Sequence, residues 1–265
     1  MNLYYVRARL WLLPTLTSLA LASAAPAPKP DAPERLAAIV KEMKSPDREV
    51  RLKAVGKLVH FEGGQELALP VLTNLREALR DPEADIRAVA CTATGNFRDK
   101  AKQVIPDFTR LLRDPDKEVR QCAARALGRV GADAKVALPD LARSTQDEDA
   151  VVRVVTHAAM IRIGAPVPEH LPAILKGLES ASPLVRYKSA HCLEPLGPIA
   201  APGVLKLGQL LTDPDEKVRH YSARALVNLG DTARPALPAL KAAREQETVA
   251  GNKGLLDAAI RKLGQ

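Results

Sequence analysis

Aromatic side chains are scarce in this chain: one Trp, four Tyr and three Phe make up 3% of 265 residues. Aromatics supply much of a compact globular core, so their scarcity weighs against a single globular enzyme domain of this length. Hydrophobic residues still reach 46%, and Ala, Leu and Val fill most of those positions. Small residues at helical spacing suit thin layers of closely packed helices. Cysteine is equally sparse. Cys91, Cys122 and Cys192 are odd in number, which excludes a complete disulfide framework, and each sits among small residues where a buried thiol acts as a small apolar group. There is no strand-like alternation, no G-x-G-x-x-G after a strand, no phosphate loop and no H-E-x-x-H. A G-x-S-x-G elbow is missing too, and the Cys spacing fits no zinc site. His60, His157, His170, His191 and His220 are scattered. No catalytic residue, cofactor or metal site is expected.

The N-terminus has a different composition. Arg7 and Arg9 precede an apolar run from Leu10 to Leu21, and Ala22-Ser23-Ala24 fits an A-x-A cleavage site. This is the pattern of a secretory signal peptide over residues 1–24. An uncleaved anchor is the alternative, but the run is shorter than the roughly 20 residues a membrane span needs. No second run of that kind follows, so no stable membrane anchor is expected after cleavage. Alternating prolines over residues 25–33 favour an extended tether. The protein is therefore expected to be exported, periplasmic or secreted. Its formal charge of +8 falls by two, to about +6, when the leader leaves. Such a mildly basic balance favours acidic partners or serves solubility alone.

What fills residues 34–265 is a repeat. Asp114-Pro115-Asp116-Lys117-Glu118-Val119-Arg120 returns as Asp213-Pro214-Asp215-Glu216-Lys217-Val218-Arg219, and each is followed by Ala-Arg-Ala-Leu. The arginines fall at Arg51, Arg87, Arg120, Arg153, Arg186 and Arg219, with a first step of 36 and then a constant 33. Pro70, Pro106, Pro139, Pro172 and Pro238 repeat the period inside Leu-Pro or Ile-Pro pairs, with Leu205 in the missing place. Proline suits a first helical turn. The residue before the next proline is pushed out of the helix, and an acidic pair then opens a second helix. Gly128, Gly131, Gly164, Gly197 and Gly230 lie where C-caps belong. This predicts seven helix pairs, over about 33–61, 66–98, 103–130, 137–164, 169–197, 202–230 and 235–263. The last pair loses the Val-Arg signature, as a capping repeat does.

These residues resemble short HEAT repeats, of the kind also seen in the HEAT-like repeats of phycobilisome lyases. The resemblance implies an all-α solenoid, a right-handed superhelix of about seven stacked pairs, with the second helices on the concave face. It also implies an acid–arginine ladder between layers, built here from Asp81, Arg87, Asp114, Arg120, Asp147, Arg153, Asp213 and Arg219. The acid column reads Ser45, Asp81, Asp114, Asp147, Ser180 and Asp213, each six residues before its arginine. Ser45 and Ser180 break the column, which leaves Arg51 and Arg186 as the arginines expected to be free for a ligand.

One feature escapes the repeat. Two residues after the signature Val or Ile, the column reads Leu52, Ala88, Gln121, Val154, Tyr187 and His220. Six residues after it, the column reads Gly56, Thr92, Arg125, Ala158, His191 and Arg224. Large hydrogen-bonding side chains thus gather on two adjacent repeats, although the same columns hold Ala elsewhere. Tyr187, His191, His220 and Arg224 are the candidate protein-binding residues, since Tyr and Arg often anchor interfaces; ordinary solvated helix surface is the alternative. Two histidines without a nearby acid or thiol fall short of a metal site. The function expected is a non-catalytic adaptor or scaffold, a monomer that binds a protein partner. A lyase-like or enzyme-regulatory subunit is the alternative, although the lyases work in the cytosol. A nucleic-acid binder comes third. It would need a continuous basic stripe with stacking aromatics, so no nucleic-acid partner is expected.

Overall fold

The computed structural model describes residues 32–59 and 68–264; the expected leader, most of the expected tether and His60 lie outside the described residues. Seven helix pairs follow one another: α1 (Ala32–Met43) with α2 (Arg48–Leu58), α3 (Ala68–Ala78) with α4 (Ala84–Gly95), α5 (Ile105–Leu111) with α6 (Lys117–Val130), α7 (Leu138–Ser144) with α8 (Ala150–Ile163), α9 (Val167–Gly177) with α10 (Pro183–Leu193), α11 (Val204–Gln209) with α12 (Glu216–Leu229), and α13 (Leu237–Gln246) with α14 (Ala250–Leu263). Among the described residues there is no strand, and the architecture is an all-α solenoid. No described helix is long and apolar enough to cross a membrane.

The local sequence explains the boundaries. Ile105-Pro106, Leu138-Pro139 and Leu237-Pro238 put proline in the first turn of α5, α7 and α13, where its missing N–H costs nothing. Pro172 departs from this expectation: α9 starts at Val167 and carries Pro172 inside. Asp47, Asp116, Asp149 and Asp215 cap α2, α6, α8 and α12 by accepting from backbone N–H groups in the first turn, each worth about 1 kcal/mol. Gly131, Gly164, Gly197 and Gly230 all have positive φ; Gly131, Gly164 and Gly230 end their helices as expected, whereas α10 ends at Leu193 and Gly197 kinks the 3-10 segment that follows it. Gly128 does not end a helix either. It lies inside α6 and is buried, and a Cβ there would stand 2.9 Å from the Ala159 Cα on α8.

That contact shows how the layers pack. α4, α6, α8, α10, α12 and α14 stack successively on one another. Small residues such as Ala93, Ala123, Ala126 and Ala159 are buried in the stack. The first helices lean instead on 3-10 segments, Arg98–Val104, Gly131–Ala137, Glu194–Gly203 and Gly230–Ala236, that link most pairs. The layer whose helices approach more closely belongs on the inside of any curve.

The ladder is present, but its pairing is displaced by one repeat from the expected one. Five of the six arginines, Arg51, Arg87, Arg120, Arg186 and Arg219, donate through Nη1 to two carbonyls of their own turn and through Nε and Nη2 to the carboxylate of the next repeat. Arg120 reaches Asp114 O at 3.0 Å and Pro115 O at 3.1 Å, then Asp147 at 2.8 and 3.0 Å. Arg87 holds Asp114 in the same way, at 2.8 Å twice. Arg51 and Arg186, expected to be free, are bound to Asp81 and Asp213. The acid each needs belongs to the following turn, so Ser45 and Ser180 do not release them. Arg219 pairs with Glu247, one residue beyond the periodic position, at 2.8 and 3.1 Å. The arginine left short is Arg153. Its Nη1 binds Asp147 O and Glu148 O, but the next repeat presents Ser180, and no described carboxylate pairs with it.

The carboxylates also brace their own turns. Asp81, Asp114, Asp147 and Asp213 each accept from the backbone N–H two residues on, at 2.9 to 3.0 Å. Arg120→Ala is therefore expected to lower stability by about 1–3 kcal/mol, the cost of leaving partly buried acceptors unpaired. Ser180→Asp is expected to do the reverse, raising stability by about 0.5–1.5 kcal/mol by completing the Arg153 rung. Urea or thermal unfolding of the two variants measures both; a destabilised Ser180→Asp would show that the rung geometry is not available at this junction.

Candidate functional site

The four candidate residues come together on α10 and α12 of the inner helical layer, around a residue the sequence reading passed over. Tyr221 lies at the centre. Its ring stacks on Tyr187 with centroids 5.6 Å apart, meets the edge of His191 at 4.7 Å and of His220 at 5.2 Å, and carries the Arg224 guanidinium 5.6 Å above it. Lys188 and Lys217 stand 5.3 and 5.8 Å from the Tyr187 centroid. Tyr221 is 34 residues after Tyr187 rather than 33, so it falls outside a column drawn at the repeat period. Two tyrosines on neighbouring second helices, among only four in the chain, were the available signal.

Glu194 joins the cluster at the start of the link after α10. Arg224 donates to its Oε1 at 2.5 Å, and His191 Nδ1 faces its Oε2 at 3.4 Å. Those two facing atoms are buried and have no other hydrogen-bond partner. Burial works to raise the Glu194 pKa, but the contacts with His191 and Arg224 outweigh it and hold the carboxyl below its ordinary range. On the far side, His220 Nδ1 lies 3.0 Å from Asn252 Oδ1, while Asn252 Nδ2 donates to Glu247 at 3.1 Å. A carboxylate only accepts, which fixes the amide orientation and makes His220 Nδ1 the donor to Asn252. The last rung of the ladder therefore orients the edge of the patch. The columns that look dispensable in sequence are thus bonded to one another as well as displayed.

Beside this cluster is a pocket of about 430 Å³ whose walls include Lys188, His191, Glu194 and Arg224 at one end and Arg125, Arg129 and Arg162 at the other. No group of three or more His, Cys, Asp or Glu among the described residues comes together as a metal-ligand set. His157 and His170, read as scattered, form a pair with Nδ1 atoms 3.1 Å apart; burial first, and then His170, lowers the His157 pKa. Cys91 and Cys192 are buried and Cys122 is partly buried, all as free thiols. Burial pushes the Cys192 thiol up to about 11, which makes it a poor nucleophile near neutrality.

Comparison with known proteins bears on the fold. A family model described as HEAT repeats matches residues 72–160 and 171–254, more than half of the chain. No curated protein matches the sequence. Among solved structures, the complex of CpcE and CpcF of phycocyanin lyase from Nostoc sp. PCC7120 is similar at 20% identity and a TM-score of 0.53, covering 93% of this chain and 99% of that one. A designed armadillo repeat protein in complex with the peptide (KR)4 is similar at 20% identity and a TM-score of 0.44, covering 86% of this chain and 99% of that one.

The charge arrangement at Glu194 has a direct readout. Arg224→Ala removes one of the two groups that depress its pKa, so the Glu194 carboxyl is expected to titrate at higher pH than in the parent chain. A carboxyl-detected NMR titration of both proteins measures the shift. An unchanged Glu194 pKa would mean that Arg224 does not hold this carboxylate in solution.

Proposed function

Because the chain belongs to the HEAT-repeat family, whose stacked pairs offer one extended surface, we propose that it is a non-catalytic adaptor or scaffold that binds a protein partner through its inner helical layer. The observation that carries this reading is the cluster around Tyr221. Elsewhere the inner layer shows Ala88, Val154 and Ala158 in the same columns, whereas here Tyr187, His191, His220 and Arg224 converge on one tyrosine. Partly exposed aromatics beside an arginine are the side chains that dominate interface energetics, because they bury much area and lose little rotamer freedom. A lyase-like or regulatory subunit has only the shared fold in its favour, and fold alone does not assign a reaction.

We also propose that this binding takes place outside the cytoplasm, with a monomer released after residues 1–24. The support is the positive pair, apolar run and A-x-A site of the first 24 residues. Intact-mass measurement of the protein from its native host is expected to give a chain starting at or near Ala25; a mass that retains Met1 to Ala24 would overturn export by cleavage.

Partner binding is tested by capture on the immobilised chain from the exported fraction, followed by calorimetry with the purified partner. Tyr187→Ala and Arg224→Ala are each expected to weaken binding by about 1–3 kcal/mol, as truncations of interface anchors do. Unaltered affinity in both variants would move the binding surface off this face.

A further inference from the structure

The basic end of the pocket has a feature that neither the ladder nor the tyrosine cluster uses. Gly131, Gly164, Gly197 and Gly230 occupy one position of the repeat at a step of 33, with φ between 54° and 108°. One step earlier the residue is Arg98, with φ 52°. A non-glycine residue with left-handed backbone is strained, and such strain persists where something other than stability maintains it. Arg98 stands at the edge of the same pocket as Arg125, Arg129 and Arg162.

These arginines are poorly neutralised. Arg125 reaches only Thr92 Oγ1 at 3.5 Å and Cys122 Sγ at 3.2 Å, and Arg129 reaches the neutral Asn96 Oδ1 at 2.7 Å. Among the described residues, Arg162 has no ion-pair or hydrogen-bond partner. The one described carboxylate in the pocket wall, Glu194, is already engaged by Arg224 and His191. Burial, and then the charges of neighbouring arginines, lower the pKa of both Arg129 and Arg162. Five of the six ladder arginines are matched to carboxylates, so several positive charges gathered here with one engaged carboxylate among them mark a place for an external anion.

The spacing identifies the kind of anion. Arg129 on α6 and Arg162 on α8 are equivalent residues of consecutive repeats. Packed helices lie about 8–10 Å apart, which is about three residues of extended chain at roughly 3.3 Å each. A single small oxyanion does not span that distance, whereas an extended peptide with an acid at every third residue does. The described wall holds no Phe, Tyr or Trp, and so lacks the stacking platform that single-stranded nucleic acid uses. We propose that the groove running from Arg98 across Arg129 and Arg162 binds an extended acidic segment of a protein partner, with carboxylates of the segment completing the arginines. This rests on the reading of the inner layer as a protein-binding surface and names the chemistry recognised there.

The test uses the folded chain and a fluorescent nonapeptide with Glu at every third position and Ser between, alongside the same peptide with Gln. Fluorescence anisotropy at low ionic strength is expected to show at least tenfold tighter binding of the Glu peptide. Arg129→Gln with Arg162→Gln is expected to lower that affinity at least tenfold, while thermal unfolding shows an unchanged or higher Tm, because two uncompensated charges are removed. Arg98→Gly is expected to weaken binding several-fold and to raise Tm by roughly 2–4 °C, as relief of a strained residue would in a domain of this size. Equal binding of the Glu and Gln peptides, or no loss in the double variant, overturns the proposal. Tighter binding of tripolyphosphate or of a nine-nucleotide oligo-dT than of the Glu peptide overturns it as well, in favour of a phosphate-bearing ligand. Loss of partner capture in Tyr187→Ala together with no binding of the Glu peptide would sink this groove and leave the adaptor reading standing.

Discussion

A guanidinium that grips the carboxylate of the next repeat sets the register of the whole stack. Every ladder arginine but Arg153 divides its donors between two carbonyls of its own turn and two oxygens of the following one, as Arg120 does. The carboxylate in turn accepts from the backbone two residues on. Turn shape and layer spacing are therefore set by one planar, bidentate contact, whose geometry tolerates little sliding. The rest of the design follows from that spacing. Second helices drawn so close have room for Ala and Gly at their contacts, as at Gly128 against Ala159, and little room for rings. A chain built this way fills its interior from Ala, Leu and Val and needs few aromatics.

Much of this was legible because a period repeats its own evidence. The Leu-Pro starts, the aspartate caps and the terminal glycines recur at the same offset, and each copy supports the others. The pairing of the ladder was not legible for a related reason. A column shows which residues are equivalent and does not show which copy faces which: it sets Asp114 beside Arg120, although the Asp114 carboxylate belongs to Arg87. The same column sets Ser45 before Arg51 and Ser180 before Arg186, whereas the gap among the described residues lies at Arg153. Gly128 has the sequence position of a cap because it stands near a helix end, and only the approach of α8 shows its other role.

The candidate site shows the opposite limit. Tyr187, His191, His220 and Arg224 stood out because they broke the columns, and the structure does bring them together. Tyr221, which organises them, was missed because it is displaced by one residue from the period. Arg98 escaped for another reason. Its significance lies in backbone conformation, visible only once the glycines that share its position are seen to have positive φ. The fold and the patch are also continuous: Arg219, Glu247, Asn252 and His220 form one hydrogen-bonded row, in which the last structural rung aligns a side chain of the displayed surface.

The junction between α8 and α9 differs from its neighbours in two ways at once. Among the described residues Arg153 has no carboxylate across it, and the chain passes from Gly164 into α9 at Val167 without the 3-10 link found at Gly131, Glu194 and Gly230. In a linear array each unit is stabilised chiefly by its neighbours, so the weakest interface decides where cooperativity ends. Residues 32–164 and 167–264 meet here through the packing of α8 on α9 and α10, without a rung, inside one compact unit. The groove formed by α6, α8, α10 and α12 lies across that junction. A ligand occupying the groove would supply, from outside the chain, a bridge between neighbouring repeats where the missing rung leaves none.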